Sequence, residues 1–114
     1  MTLEQYKKLP RIVNQLCELF DCMIIGSTVD GKVSDIDMIV PFDKWQTCAS
    51  FIMALNPVHL ASTRFGGWRW VEPELARSID IWPSSIEQVL KSSRPSNIYW
   101  PKHRLLIKRE FIHE

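Results

Sequence analysis

The sequence of 114 residues contains no long apolar segment, only four glycines and no excess of charge of one sign. No apolar run approaches the roughly 18–20 residues that a membrane-spanning helix needs, so we expect no membrane contact. The first ten residues lack the apolar stretch of a secretory signal, which predicts a cytoplasmic protein. Fourteen basic and thirteen acidic residues leave a net charge of +1 and give no global electrostatic reason to bind nucleic acid.

Cysteine is also scarce, since only Cys17, Cys22 and Cys48 occur and none of them has the CxxC spacing. Three cysteines cannot all pair within one chain, and the three histidines lie far from them in the sequence. The pattern therefore predicts reduced, mostly buried thiols, and it argues against a disulfide framework or a zinc site.

The distribution of apolar residues predicts one domain over residues 1–114, of the α/β (α+β) class, with a mixed sheet and helices packed on it. Capping-box pairs stand at Thr2 with Gln5 and at Ser84 with Glu87, and Pro10 interrupts or restarts the first helical pattern. Helices are predicted over 2–20, 43–55 and 84–91, and strands over 22–25, 36–41, 58–63, 68–71 and 78–82. Residues 92–101 are predicted as a loop, and 102–114 as either helix or strand.

Two aspartates, Asp35 and Asp37, stand two residues apart at the start of a predicted strand. Successive strand side chains alternate between faces, so both carboxylates emerge on one side while Ile36 and Met38 point into the core. Two such carboxylates repel each other, and one should have a raised pKa unless a cation sits between them. Magnesium, which prefers oxygen ligands, is the natural cation for this pair.

A third carboxylate, Asp80, lies between two isoleucines of a later predicted strand, where a charge is costly unless it faces a cleft or a metal. If the two strands are neighbours, three aspartates converge, and such a cluster suits a two-metal mechanism. Gly26-Ser27 closes the preceding strand, where a glycine lets the backbone approach a phosphate and a hydroxyl can donate to it.

The segment Gly26-Ser27, the segment Ser34-Asp-Ile-Asp-Met-Ile-Val40 and the isolated Asp80 together resemble the nucleotidyltransferase superfamily of the polymerase-beta type. The resemblance covers roughly residues 12–82 and implies a nucleotidyltransferase-like palm. It implies that Asp35, Asp37 and Asp80 bind Mg²⁺ or Mn²⁺, and that Asp80 also helps to activate the acceptor hydroxyl. It further implies that Gly26, Ser27 and Ser34 bind the phosphates of a nucleoside triphosphate.

The same resemblance predicts transfer of a nucleoside monophosphate from the triphosphate to an acceptor hydroxyl, with release of pyrophosphate. The acceptor stays open among a protein, an RNA end and a small molecule. Small stand-alone members of the family often act with a separate protein partner or as dimers, so a protein partner or a homodimer is implied as well.

Basic and aromatic residues near these motifs have two interpretations each. If Val71 pairs with Ser78 in an antiparallel hairpin, Arg69 lies opposite Asp80 and either contacts a phosphate or forms an ordinary cross-strand ion pair. Arg64 is a second basic candidate. The aromatic side chains either pack in the core or stack on a base, and these are Phe65, Trp68, Trp70, Trp82 and Trp100.

Two other functions remain open from the sequence. Only seven residues separate Ser27 from Asp35, a shorter loop than the family has, and this favours a catalytically inactive module of the same fold that binds a protein or a nucleotide. A metal-dependent nuclease would use the same carboxylates, although its chemistry does not require the Gly26-Ser27 turn.

Overall fold

A computed structural model describes residues 1–32, 35–74 and 77–109 of the chain. These residues form a seven-stranded mixed sheet with four helices packed against it, which confirms the predicted α+β class. The helices are α1 (Leu3–Lys7), α2 (Arg11–Phe20), α3 (Trp45–Leu55) and α4 (Ile86–Leu90). The strands are β1 (Met23–Ile25), β2 (Ile36–Val40), β3 (Ala61–Ser62), β4 (Trp68–Glu72), β5 (Arg77–Pro83), β6 (Ile98–Trp100) and β7 (Leu105–Ile107).

Local sequence signals explain where the first two helices begin. The Thr2 hydroxyl accepts a hydrogen bond from the Gln5 backbone, and the Gln5 side chain accepts one from the Thr2 backbone, so the predicted capping box is confirmed. Pro10 stands at the N-cap of α2, because its ring fixes a φ suited to a helix start and it has no N–H to leave unpaired. The predicted first helix is therefore two helices separated at this proline.

The strand order is β3-β4-β5-β2-β1-β6-β7, and every pair is antiparallel except β2 with β5. The parallel pair lies at the centre of the sheet and is joined by a crossover that contains α3. This crossover brings a strand near residue 37 beside a strand near residue 80, two segments far apart in the sequence.

The two faces of the sheet differ in what covers them. Buried side chains of α1, α2 and α3 pack on the face that carries Ile36, Met38, Ile79 and Ile81, as predicted for the first two. The other face carries a smaller apolar cluster under α4, built around Ile39. Side chains of this second face near the start of β2 are therefore the ones that remain accessible.

The three cysteines follow the prediction of buried, unpaired thiols. Burial raises the pKa of Cys17 to about 12, and a hydrogen bond with Cys48 together with burial raises the pKa of Cys22. The thiols of Cys17 and Cys22 are therefore protonated at neutral pH, and the thiolate is the reactive form.

The structure corrects three predicted elements. The N-cap of α4 is Ser85, whose hydroxyl accepts from the Gln88 backbone, because the Ser84 N–H still bonds to the Val40 carbonyl and prolongs the sheet. The predicted loop 92–101 contains β6, because Ile98 is buried against β1. The predicted strand 58–63 is reduced to the two residues of β3.

Helix length in the described parts of the chain stays well below what crossing a bilayer requires, and none of these helices is apolar enough to do so.

Gly67, directly before β4, lies close against the backbone of β5, and its replacement tests the β4–β5 packing. A Cβ at this position would lie 1.9 Å from the Ile81 carbonyl oxygen and 2.6 Å from the Trp82 Cβ. We expect Gly67→Ala to lower the free energy of unfolding by about 2–3 kcal/mol, since backbone must move to make room. Urea denaturation measures this, with the exposed helix substitution Gln46→Ala as the control; an equal effect of both substitutions would contradict the packing described.

Candidate active site

The parallel pairing of β2 with β5 brings two of the three predicted aspartates together. Asp37 and Asp80 are directly paired in the register, on neighbouring strands and on the same face of the sheet. Their carboxyl groups interact directly, and this interaction contributes to the raised pKa of Asp37. The predicted convergence of two distant sequence segments is therefore present in the fold.

Asp35 joins this pair from the residue that precedes β2. Its Oδ1 accepts a hydrogen bond of 3.2 Å from the backbone N–H of Ser78, which lies two residues before Asp80 on β5. Its carboxylate contributes to the repulsion that raises the pKa of both Asp37 and Asp80. The three aspartates thus form one electrostatic cluster, called here the aspartate cluster.

Arg69 reaches across the aspartate cluster from β4. The register pairs Val71 with Ser78 and Arg69 with Asp80, as the sequence predicted for an antiparallel hairpin. The guanidinium Nη2 lies 3.5 Å from Asp35 Oδ2, and Nε lies 3.5 Å from Asp80 Oδ1. These distances exceed the roughly 2.7–2.9 Å of a strong charged hydrogen bond, and the Arg69 side chain is 51% exposed, so the ion pairs are loose.

Burial and mutual repulsion make the aspartate cluster costly to ionise fully. Desolvation, followed by the charges of Asp80 and Asp35, raises the pKa of Asp37 to about 6. Desolvation also raises the pKa of Asp80, although the Arg69 charge opposes this. The buried Oδ1 of Asp80 makes no hydrogen bond to any described residue. Added positive charge at this point would reduce the electrostatic repulsion among the three carboxylates.

The Gly26-Ser27 turn follows β1 directly and lies beside the aspartate cluster. Gly26 has φ +78°, a backbone conformation that favours glycine, and a Cβ there would lie 3.4 Å from Asp37 Oδ2. The next residue but one, Thr28, donates its hydroxyl to the Asp35 carbonyl at 3.3 Å and ties this turn to the start of β2. Ser34, predicted as a phosphate ligand, lies outside the described residues.

A cavity of about 840 Å³ opens beside Asp37 on the face that α4 covers only in part. Its lining includes Asp37, Trp82 on β5, the Arg64-Phe65 turn between β3 and β4, and Arg94 from the loop after α4. The volume falls within the roughly 300–1,000 Å³ typical of small-molecule sites. Asp37 of the aspartate cluster therefore borders a space large enough for a substrate, whereas Asp35 and Asp80 do not line it.

The donor set agrees with magnesium in chemical type, because all three side chains offer carboxylate oxygens. In their present arrangement, however, no three acidic, histidine or cysteine side chains among the described residues are grouped so that they could hold a metal ion. Asp35 is oriented toward Arg69 and the Ser78 N–H. Asp37 and Asp80 stay paired across the two strands, and Asp80 Oδ1 makes no hydrogen bond to a described residue but lies 3.5 Å from Arg69 Nε, so this position suits a cation.

Sequence reasoning missed residues that act through the backbone or through distant loops. The Ser78 N–H holds Asp35, and no sequence pattern marks a backbone donor. Thr28 is one residue beyond the Gly-Ser pair, where its burial could not be read from type alone. Arg94 lines the cavity from a polar Ser-Ser-Arg-Pro-Ser loop, and that composition is the one signal available.

Comparison with known proteins adds no relative: no protein-family model matches the chain, and a search of curated proteins gives no significant match.

The raised pKa of Asp37 predicts a pH-dependent effect of Asp37→Asn on stability in metal-free buffer with chelator. A carboxyl group whose pKa rises on folding stabilises the fold fully below its unfolded pKa, and this contribution is lost as the pH passes through about 6. Asparagine carries no charge at either pH, so the stability that the variant gains over the wild type should be clearly larger at pH 7.5 than at pH 4.5.

The full difference in pKa corresponds to about 3 kcal/mol, and solvent screening of this half-buried group reduces the expected gain to about 1–2 kcal/mol. Urea denaturation at the two pH values measures it, with Asp43→Asn, an exposed aspartate outside the cluster, as the matched control. A gain of equal size at both pH values would contradict the account of Asp37.

Proposed function

We propose that this protein is a magnesium-dependent nucleotidyltransferase that transfers a nucleoside monophosphate from a nucleoside triphosphate to an acceptor hydroxyl. The observation that carries the proposal is the pairing of Asp37 with Asp80 across two parallel strands, with Asp35 beside them. The resemblance of the Gly26-Ser27 and Ser34–Val40 segments to the polymerase-beta type superfamily supports the same function.

Each carboxylate has a distinct role in this proposal. Asp35 and Asp37 would hold Mg²⁺ or Mn²⁺, and Asp80 would complete the site with Oδ1, which lies 3.5 Å from Arg69 Nε in the metal-free protein. When bound, the divalent ions neutralise charge on the triphosphate and on the departing pyrophosphate. Arg69 offsets the charge of Asp35 and Asp80 in the metal-free protein, and its exposure lets it leave that position.

The reaction forms one P–O bond and breaks another. The acceptor oxygen attacks the α-phosphorus, the bond from that phosphorus to the α,β-bridging oxygen breaks, and pyrophosphate leaves. The acceptor hydroxyl proton passes to the Asp80 carboxylate, the role that the superfamily resemblance implies for this residue. Backbone N–H groups and the Ser27 hydroxyl of the turn beside Asp37 suit the β- and γ-phosphates.

The acceptor remains open among a protein hydroxyl, an RNA end and a small molecule, and a protein partner or a homodimer belongs to the same proposal. Positioning of the acceptor and neutralisation of charge supply most of the rate in this chemistry. Asp37 and Asp80 lie on paired strands at the centre of the sheet, and such fixed positions for charged groups support an enzyme.

The proposal predicts covalent transfer of label from an α-³²P nucleoside triphosphate in the presence of Mg²⁺ or Mn²⁺. Each of the four triphosphates is incubated with the protein and a cell lysate that supplies acceptors, and labelled products are separated by electrophoresis and chromatography. We expect the double substitution Asp35→Asn with Asp37→Asn, and Asp80→Asn alone, to reduce transfer by about 100-fold or more, since each removes charge stabilisation at the reacting centre.

Asp43→Asn is the matched control, because it makes the same chemical change at an exposed position outside the aspartate cluster. Its transfer rate should stay within about twofold of the wild type, an effect typical of surface substitutions. Absence of transfer with all four triphosphates and both metals, or transfer that survives loss of the aspartates, would contradict the proposal.

A second candidate function is a catalytically inactive module of the same fold that binds a protein or a nucleotide. The observation that favours it is the Arg69 bridge between Asp35 and Asp80, which supplies a cation from the chain itself. Thermal unfolding with Mn²⁺ separates the two functions. The enzyme predicts stabilisation by Mn²⁺ that Asp37→Asn abolishes, whereas the inactive module predicts no stabilisation by the metal.

A further inference from the structure

The cavity beside Asp37 contains features that the proposed metal site and phosphate turn do not use. Its lining includes Arg64 and Phe65 of the turn between β3 and β4, and Arg94 of the loop after α4. Trp82 on β5 and Asp37 on the neighbouring strand β2 line it as well. A ligand in this cavity would therefore contact both the aspartate cluster, at Asp37, and the β3–β4 turn.

The first of these features is a group of stacked planar side chains, called here the aromatic corner: Arg64, Phe65 and Trp82. The rings of Phe65 and Trp82 have centroids 5.4 Å apart and are tilted by 33°, and the Arg64 guanidinium lies over the Phe65 ring at 4.9 Å from its centroid. Despite these contacts, Phe65 is 55% exposed. Aromatic rings and guanidinium planes are the surfaces on which nucleic-acid bases stack.

The charges of the cavity favour an anion with a flat apolar part. Arg64 and Arg94 line it together with one carboxylate, Asp37, and its remaining lining residues are uncharged. Two cations around a single acidic group attract a polyanion such as a triphosphate. The polar part of such a ligand is drawn toward the arginines and the metal site, and the apolar part finds its largest exposed surface at Phe65.

The spacing along β5 links the aromatic corner to the reacting centre. Trp82 follows Asp80 by two residues and points to the same face, so the two are separated by about 6.6 Å along the strand. A sugar with its α-phosphate can bridge such a separation. A base at the aromatic corner therefore leaves its α-phosphate near the aspartate cluster.

We propose that the aromatic corner is the base-binding subsite of the nucleotide, and that the base stacks on the exposed surface of Phe65. This inference rests on the proposed function, because it assumes that the ligand is a nucleoside triphosphate. It assigns base recognition to the β3–β4 turn, so the described domain itself holds both ends of the nucleotide. Stacking tolerates any base, so the subsite discriminates only weakly among the four bases. It discriminates more strongly between a nucleotide and inorganic polyphosphate, which has no base to stack.

Calorimetric titration with two probes tests this assignment. The probes are the α,β-methylene analogues of the four ribonucleoside triphosphates and inorganic triphosphate, each with Mg²⁺, against the full chain. We expect Phe65→Ala to weaken binding of the nucleotide analogues about tenfold, and to change the affinity for inorganic triphosphate by less than twofold. Phe65→Trp should retain or improve nucleotide affinity, because it keeps the stacking surface.

Phe42→Ala is the matched control, since Phe42 is 57% exposed and lies outside the cavity lining. It should leave the affinity for both probes within twofold of the wild type. Circular dichroism of both alanine variants checks that the fold is retained, which is expected because both rings are mostly exposed.

Two results would overturn the inference in distinguishable ways. If Phe65→Ala leaves nucleotide affinity unchanged, or weakens both probes equally, the base does not stack at the aromatic corner, while the proposed transferase activity is untouched. If the wild-type chain binds neither probe, both this inference and the proposed function are wrong.

Discussion

The parallel register of β2 and β5 is the constraint on which the site depends. It pairs Asp37 with Asp80 and, on the other face, Ile36 with Ile79 and Met38 with Ile81. A shift of one residue in either strand would move its aspartate into the apolar core and its isoleucine to solvent. The burial of these isoleucines therefore fixes the register that holds the two carboxylates side by side. The stabilisation from this apolar burial offsets the electrostatic repulsion between the carboxylates.

The cost appears in the electrostatics of the aspartate cluster. Partial desolvation and the repulsion among carboxylates raise the pKa of Asp37 and Asp80. The positive charge that opposes this repulsion comes from one loosely held arginine, Arg69. An ion pair with a purely structural role would be more stable with shorter contacts and with fewer carboxylates around the arginine. Three carboxylates beside a single loosely held arginine are the arrangement expected where a cationic ligand is bound, and this is the physical basis of the proposed metal site.

Much of this architecture could be predicted from local sequence, and the exceptions have physical causes. The Thr2–Gln5 capping box, the break at Pro10 and the pairing of Arg69 with Asp80 each follow from short-range chemistry, and the structure confirms them. The position of β6 depends on tertiary burial of Ile98, which local pattern does not reveal. The Ser84–Glu87 pair has the spacing of a capping box, but the Ser84 N–H bonds to the Val40 carbonyl, and the N-cap of α4 is Ser85 instead.

The candidate site divides in the same way. The two faces of β2 follow from strand alternation, so the placement of Asp35 and Asp37 was accessible from the sequence. The orientation of Asp35 toward Arg69 and the Ser78 N–H depends on side-chain and backbone contacts across three strands. Such contacts also determine whether the carboxylates bind a metal ion or form ion pairs with an arginine. The spacing of the aspartates in the sequence does not distinguish these two cases.

The central claim is that divalent ions replace Arg69 among the three aspartates when a nucleotide is present. Its most direct test is a crystal structure of the protein with Mn²⁺ and a non-hydrolysable nucleoside triphosphate, recorded so that anomalous scattering identifies the metal. The account predicts an anomalous peak within coordination distance of Asp37 and Asp80, with Asp35 turned toward it and Arg69 displaced. A nucleotide bound elsewhere, or an aspartate cluster without an anomalous peak and with Arg69 still bridging Asp35 and Asp80, would contradict it.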